Sequence, residues 1–142
     1  VDIEKYHRTI EKLAANLKEK TSATYRFRGA RLKAAQDILQ RRLIHETMLQ
    51  KKQMLPCYAG RLNLVLTETG DVYPCESFTM KMGNVRDNGY DLRGILQNSE
   101  SQKIIRSIRD NSCFCTHECY FMTNILFNPF MYPSLLKEYW QL

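Results

Sequence analysis

The sequence predicts an α+β fold in which two N-terminal helices precede a small β-hairpin or short sheet, with further helices packed around a cysteine-ligated centre. Three observations carry that expectation. Apolar residues recur at helical spacing from Asp2 to Lys52, with no strand before residue 60. An alternating apolar run then meets a turn at Thr69, Gly70 and Asp71. Finally, the 5 cysteines fall into two groups, Cys57 with Cys75, and Cys113 with Cys115 and Cys119.

The first helix is expected from Asp2 to about Lys20, because Ile3, Tyr6, Ile10, Leu13, Ala14 and Leu17 recur at three and four and form one stripe. Asp2 is its expected cap. Small hydroxyl residues from Thr21 to Thr24 are expected to end it, and a longer helix should run from about Arg28 to Lys52 with Leu32, Ala35, Ile38, Leu39, Leu43 and Met48 on its apolar face. Pro56 stops that helix. Leu62, Leu64 and Leu66 alternate with polar or outward positions, the pattern of a strand with one buried face. Gly70 supplies the positive φ of a tight hairpin, Val72 and Tyr73 return, and Cys57 and Cys75 are expected at the open end of the hairpin, near enough to share a site. Met82 to Val85 reads as a short strand, and Asp91–Gln97 and Ser99–Asp110 as helices, with Ser99 as the cap of the second. An apolar segment from Tyr120 to Phe127 and a short helix from Ser134 to Trp140 complete the chain.

A length of 142 residues suits about one domain with one modest core. The sequence begins at Val1 without Met and enters a helical pattern at once, so a piece of a longer protein is expected, soluble and cytoplasmic, since no signal peptide or apolar run of roughly 20 residues is visible. The net charge of +6 permits an acidic partner. However, Lys18, Lys20, Arg26, Arg28, Arg31, Arg41, Arg42, Lys51 and Lys52 are scattered along helical segments, which reads as a solvated face rather than a nucleic-acid surface.

An odd number of cysteines with no secretory feature leaves one thiol over in any disulfide framework. Thiolates converging on one point instead hold a soft metal, either an iron-sulfur cluster or tetrahedral zinc. Spacing alone does not separate the two. Small zinc modules usually pair two Cys-x-x-Cys knuckles, and none occurs here. A zinc-held module with a basic surface for nucleic acid or protein is therefore the alternative reading. His117, between Cys115 and Cys119, is read as a donor behind the ligands or an exposed residue rather than as a ligand. The aromatic residues Tyr120, Phe121, Phe127, Phe130, Tyr132, Tyr139 and Trp140 are read as packing or docking residues.

The order Cys57, Gly70, Cys75, then Cys113, Cys115 and Cys119, with twelve residues before the glycine and four after it, resembles the SPASM or twitch auxiliary-cluster domain of radical S-adenosylmethionine enzymes. Pro56-Cys57-Tyr58-Ala59-Gly60, Gly70-Asp71-Val72-Tyr73-Pro74-Cys75, Gly83-Asn84-Val85, the short helix Leu92 to Leu96 and Cys115-Thr116-His117-Glu118-Cys119 carry the likeness over about residues 55–128. The resemblance implies a helical bridge at 1–54, a cluster domain at 55–128 and a helical tail at 129–142. It implies one four-iron four-sulfur cluster on Cys57, Cys75, Cys115 and Cys119, with Cys113 as the alternative fourth ligand, because five thiols are fewer than a two-cluster domain uses. No cysteine triplet spaced by three and two residues is present, and a barrel of roughly 200 residues would not fit. The chain is thus expected to be an accessory part of a radical enzyme and not a catalyst alone. S-adenosylmethionine would sit in the missing barrel portion, its partner, and the substrate would be a peptide or protein.

Overall fold

The computed structural model describes residues 2–24, 26–110 and 113–142. In chain order they form α1 (Ile3–Thr24), α2 (Ala30–Gln50), β1 (Val65–Leu66), β2 (Asp71–Tyr73), β3 (Gly83–Asn84), a 3-10 turn (Arg86–Asn88), α3 (Leu92–Gln97), α4 (Ser99–Arg109), α5 (Glu118–Leu126), a second 3-10 turn (Pro129–Met131) and α6 (Tyr132–Gln141). The expected α+β class is what the chain adopts. It divides into two compact units, Val1–Leu55 with Phe114–Leu142, and Pro56–Cys113. No helix among the described residues is long and apolar enough to cross a membrane.

The first unit is helical and is organised by α2. Asp2 caps α1 as its sequence suggests, its Oδ1 accepting from the Lys5 amide at 2.9 Å. The helix does not stop at Thr21, however, but continues to Thr24. Hydroxyl residues weaken a helix without terminating one whose stripe is already anchored by packing. Every position of α2 from Ala34 to Gln40 is buried. Ala35, Leu39 and Ile44 meet Phe121 and Ile125 of α5 and Leu135 of α6 in one core, while Ala34 and Ile38 meet Ala14 and Leu17 of α1 in a second. Alanines at 14, 34 and 35 give the helices close approach. Leu32 is exposed, outside the stripe assigned to it.

Burying Asp37 requires counter-charge. Lys33 pairs with it one turn before, and Arg41 lies 3.6 Å away one turn after. In the same way Arg42 pairs with buried Glu138 at 2.5 Å and reaches Glu11 at 3.5 Å.

The second unit is a three-stranded antiparallel sheet in the order β1-β2-β3, with Val65 opposite Tyr73 and Asp71 opposite Asn84. Val72, Met82, Val85 and Ile95 form its core, with Leu64, Ile104 and Ile105 against it. The expected buried face of Leu62, Leu64 and Leu66 is corrected here. Leu62 and Leu66 are exposed, and β1 spans two residues, because a tight turn at residues 58–63 uses up the chain before the strand begins. The cap of α4 is Asn98 and not Ser99: Asn98 Oδ1 accepts from the Ser101 amide at 2.8 Å.

Ile125 is fully buried and Leu136 exposed, although both are aliphatic positions on short helices. We expect Ile125→Ala to cost about 2–5 kcal/mol in urea unfolding, and Leu136→Ala to stay within roughly 0.5 kcal/mol of the parent.

Candidate metal centre

The hairpin that delivers Cys75 is fixed at its turn. The Gly70 amide donates to Thr67 O at 3.0 Å, and the Asp71 amide donates to Thr67 Oγ1 at 3.0 Å. Gly70 has φ +90, a conformation strained for any side chain, and a Cβ there would also stand 2.9 Å from Asn84 Oδ1, which would have to shift. On the far side Val85 donates to Gly70 O and Met82 to Val72 O, each at 2.8 Å, locking β3 onto β2. Asn84 Nδ2 donates to Asp71 Oδ1 at 2.7 Å, and Lys81 Nζ lies 2.6 Å from the same oxygen. The hydrogen bond from Lys81, with that from Asn84, holds the Asp71 carboxyl below the usual carboxylate range, and the same bond raises the Lys81 ammonium.

Beyond β2 the chain passes through buried Pro74 to half-buried Cys75. Cys75 Sγ lies 3.0 Å from Ser77 Oγ, which in turn lies 3.1 Å from Thr79 Oγ1. Cys57 reaches the hairpin by a different route from the one expected. The strand register pairs Val65 with Tyr73, which leaves Cys57 off the ladder with Cys75. It instead precedes the turn in which Arg61 and Leu62 donate to Tyr58 O at 3.0 and 2.9 Å and Gly60 donates to Asn63 O at 2.9 Å. Gly60 is the close-approach point: a Cβ there would meet Ile105 at 2.9 Å and Pro74 at 3.3 Å. The loop after Cys57 is thereby seated against the residue before Cys75.

Cys113 is the exposed last residue of this unit. Cys115 and Cys119 belong to the helical unit, Cys115 exposed in the irregular approach to α5 and Cys119 exposed in its first turn. Buried Tyr120, Phe121 and Ile125 anchor that turn. Arg41 Nη2 stands 3.6 Å from Glu118, and a cavity of about 330 Å³ opens beside Cys119 between Lys33, Asp37, Arg41 and Met122. Burial pushes the Tyr6 phenol above its ordinary value, the Glu118 carboxylate adding to the rise and Arg41 opposing it. His117 sits edge-on to Tyr120 at 6.3 Å.

Cys57, Cys75 and Cys119 are free thiols. Among the described residues no group of three or more His, Cys, Asp or Glu is gathered to hold a metal. What fits a soft centre is the chemistry of the donors, thiols that are accessible and, at Cys75, already hydrogen-bonded at sulfur.

Residues 57–120 match the family model of SPASM, an iron-sulfur cluster-binding domain. The SPASM match begins at Cys57 and contains Cys75, Cys113, Cys115 and Cys119 as well, so it spans every cysteine in the sequence. Iron-sulfur cluster binding is the property of that domain, in agreement with the expected cofactor class. No curated protein and no solved structure matches the chain. Ser77 and Thr79 belong to no motif in the sequence. Their only trace is a hydroxyl residue at two and at four positions after Cys75.

Asp71 is the charged hub of the turn, and its lowered carboxyl gives a sign to the pH response. A depressed carboxyl contributes stability above its unfolded value, near 3.9, and that contribution is lost as pH falls through the folded value. Thermal melts from pH 6 to 2 should therefore show Asp71→Asn less stable than the parent at pH 6, with the gap closing in acid. A gap independent of pH contradicts the assignment.

Proposed function

We propose that residues 57–120 hold one four-iron four-sulfur cluster on Cys57, Cys75, Cys115 and Cys119, with Cys113 as the alternative fourth ligand, and that this is the auxiliary cluster of a radical S-adenosylmethionine enzyme. The observation that carries the reading is the SPASM match over all five cysteines. Two features support it further. The hairpin is pinned at Gly70 by hydrogen bonds and close packing, which gives Cys75 a fixed platform. The turn after Cys57 packs onto Pro74, which gives Cys57 a defined place in the same unit.

A cluster bound there would supply one-electron chemistry or an anchoring point for a substrate, in keeping with the accessory role that the absent cysteine triplet implies. The chain's own residues contribute thiolates and the rigid loops that present them. Modification of a peptide or protein is the reaction class proposed, with S-adenosylmethionine bound by a separate barrel portion.

Anaerobic reconstitution with iron and sulfide, followed by metal and sulfide analysis of single Cys→Ala variants, tests the ligand set. Cys57→Ala, Cys75→Ala and Cys119→Ala should each abolish cluster retention, while one of Cys113→Ala and Cys115→Ala keeps it. Full retention in the Cys57 or Cys75 variant would sink the assignment.

A further inference from the structure

We propose that Ser77 is a positioning residue for the cluster, its hydroxyl donating to the sulfur of Cys75, with Thr79 donating to Ser77 behind it. The inference rests on the cluster reading above and goes beyond it by giving two residues outside the ligand set a role in setting the redox equilibrium.

The geometry is specific. Cys75 Sγ, Ser77 Oγ and Thr79 Oγ1 form a chain with spacings of 3.0 and 3.1 Å. In an extended strand, side chains two residues apart share a face but stand roughly 6.8 Å from one another, so this contact needs a bent backbone. The turn Cys75–Phe78, closed by the Phe78 amide on Cys75 O, brings Ser77 back to the sulfur, and Phe78 bends the next step, from Ser77 to Thr79. Phe78 lies between the two hydroxyl residues with φ +54, in the left-handed region that a side chain of its size rarely enters. Two contacts hold it there: its ring meets the Tyr73 ring edge-on at 5.3 Å, and its amide donates to Cys75 O at 3.4 Å. A strained residue that is held from both sides, next to a proposed ligand, is the kind of outlier that marks a functional loop.

Protonation fixes the direction of the chain. A thiol and a hydroxyl can each donate, but a sulfur bound to iron has lost its proton and only accepts. Ser77 has one proton, so once it donates to Cys75 its oxygen is left to accept, and Thr79 is the neighbour placed to donate to it. Hydrogen bonds in series polarise one another. Withdrawing electron density from a ligating sulfur stabilises the reduced cluster, and hydrogen bonds to the sulfurs are among the terms that set cluster potentials.

Wild type, Ser77→Ala, Ser77→Thr and Thr79→Val are to be reconstituted anaerobically, assayed for iron and sulfide, and titrated by spectroelectrochemistry. Ser77→Ala should hold the cluster but make its reduction about tenfold less favourable, equivalent to about 59 mV for one electron. Ser77→Thr, which keeps the hydroxyl, should restore the parental potential, and Thr79→Val should shift it in the same direction as Ser77→Ala by a smaller factor. A shift of less than about threefold in Ser77→Ala, or one of opposite sign, overturns the inference and leaves the cluster reading standing. If Ser77→Ala loses the cluster, Thr79→Val decides, and an unchanged potential there overturns the inference. Wild type that takes up no iron and sulfide overturns both.

Discussion

Strand β2 is hydrogen-bonded on both sides, to β1 through Val65 and Leu66 and to β3 through Gly83 and Asn84, and Val72 at its centre is buried. Three residues are too few to hold a position by ladder bonds alone. What makes the strand a platform is the turn at its start, where Gly70 holds a positive φ and accepts from Val85. Everything downstream inherits that constraint. Pro74 follows with its φ set by the ring, Gly60 packs against it, and Cys75 emerges half-buried within reach of Ser77.

The helical unit solves a different problem. Helix α2 is enclosed over seven consecutive positions, from Ala34 to Gln40, three of them polar, so burial has to be reconciled with charge. Lys33 and Arg41 flank Asp37 by one turn on either side, and Arg41 also faces Glu118 at the start of α5. Cys119 stands on that first turn, whose inward neighbours Tyr120 and Phe121 are packed. Its thiol is therefore carried by a rigid element and not by the irregular segment that carries Cys115. In the proposed cluster, this contrast sets Cys119 apart from Cys113 and Cys115, the two candidates for the fourth ligand.

Much of this could be read from residue order. Local chemistry identified the turn glycine, the Asp2 cap and the helix of Ile104 and Ile108, because each depends on neighbours within a few positions. Misreadings arose where tertiary context decides. Leu62 and Leu66 alternate as a buried strand would, yet they are exposed, since the turn after Cys57 sets where the strand begins. Asn98 and Ser99 are both good caps, and only the backbone angle at Asn98 selects it. The burial of Gln36, Asp37 and Gln40 leaves no mark in an apolar periodicity. Phe78 illustrates the limit most clearly, because nothing in its residue type announces a left-handed backbone between two hydroxyl residues that meet each other.

The proposed cluster requires thiolates from separate parts of the chain to share one inorganic core of iron and sulfide. The most direct measurement is the stoichiometry and Mössbauer spectrum of the anaerobically reconstituted chain. A single cluster of about four irons and four sulfides per chain is the expected result. Colourless protein carrying one zinc and no acid-labile sulfide under the same conditions would contradict it.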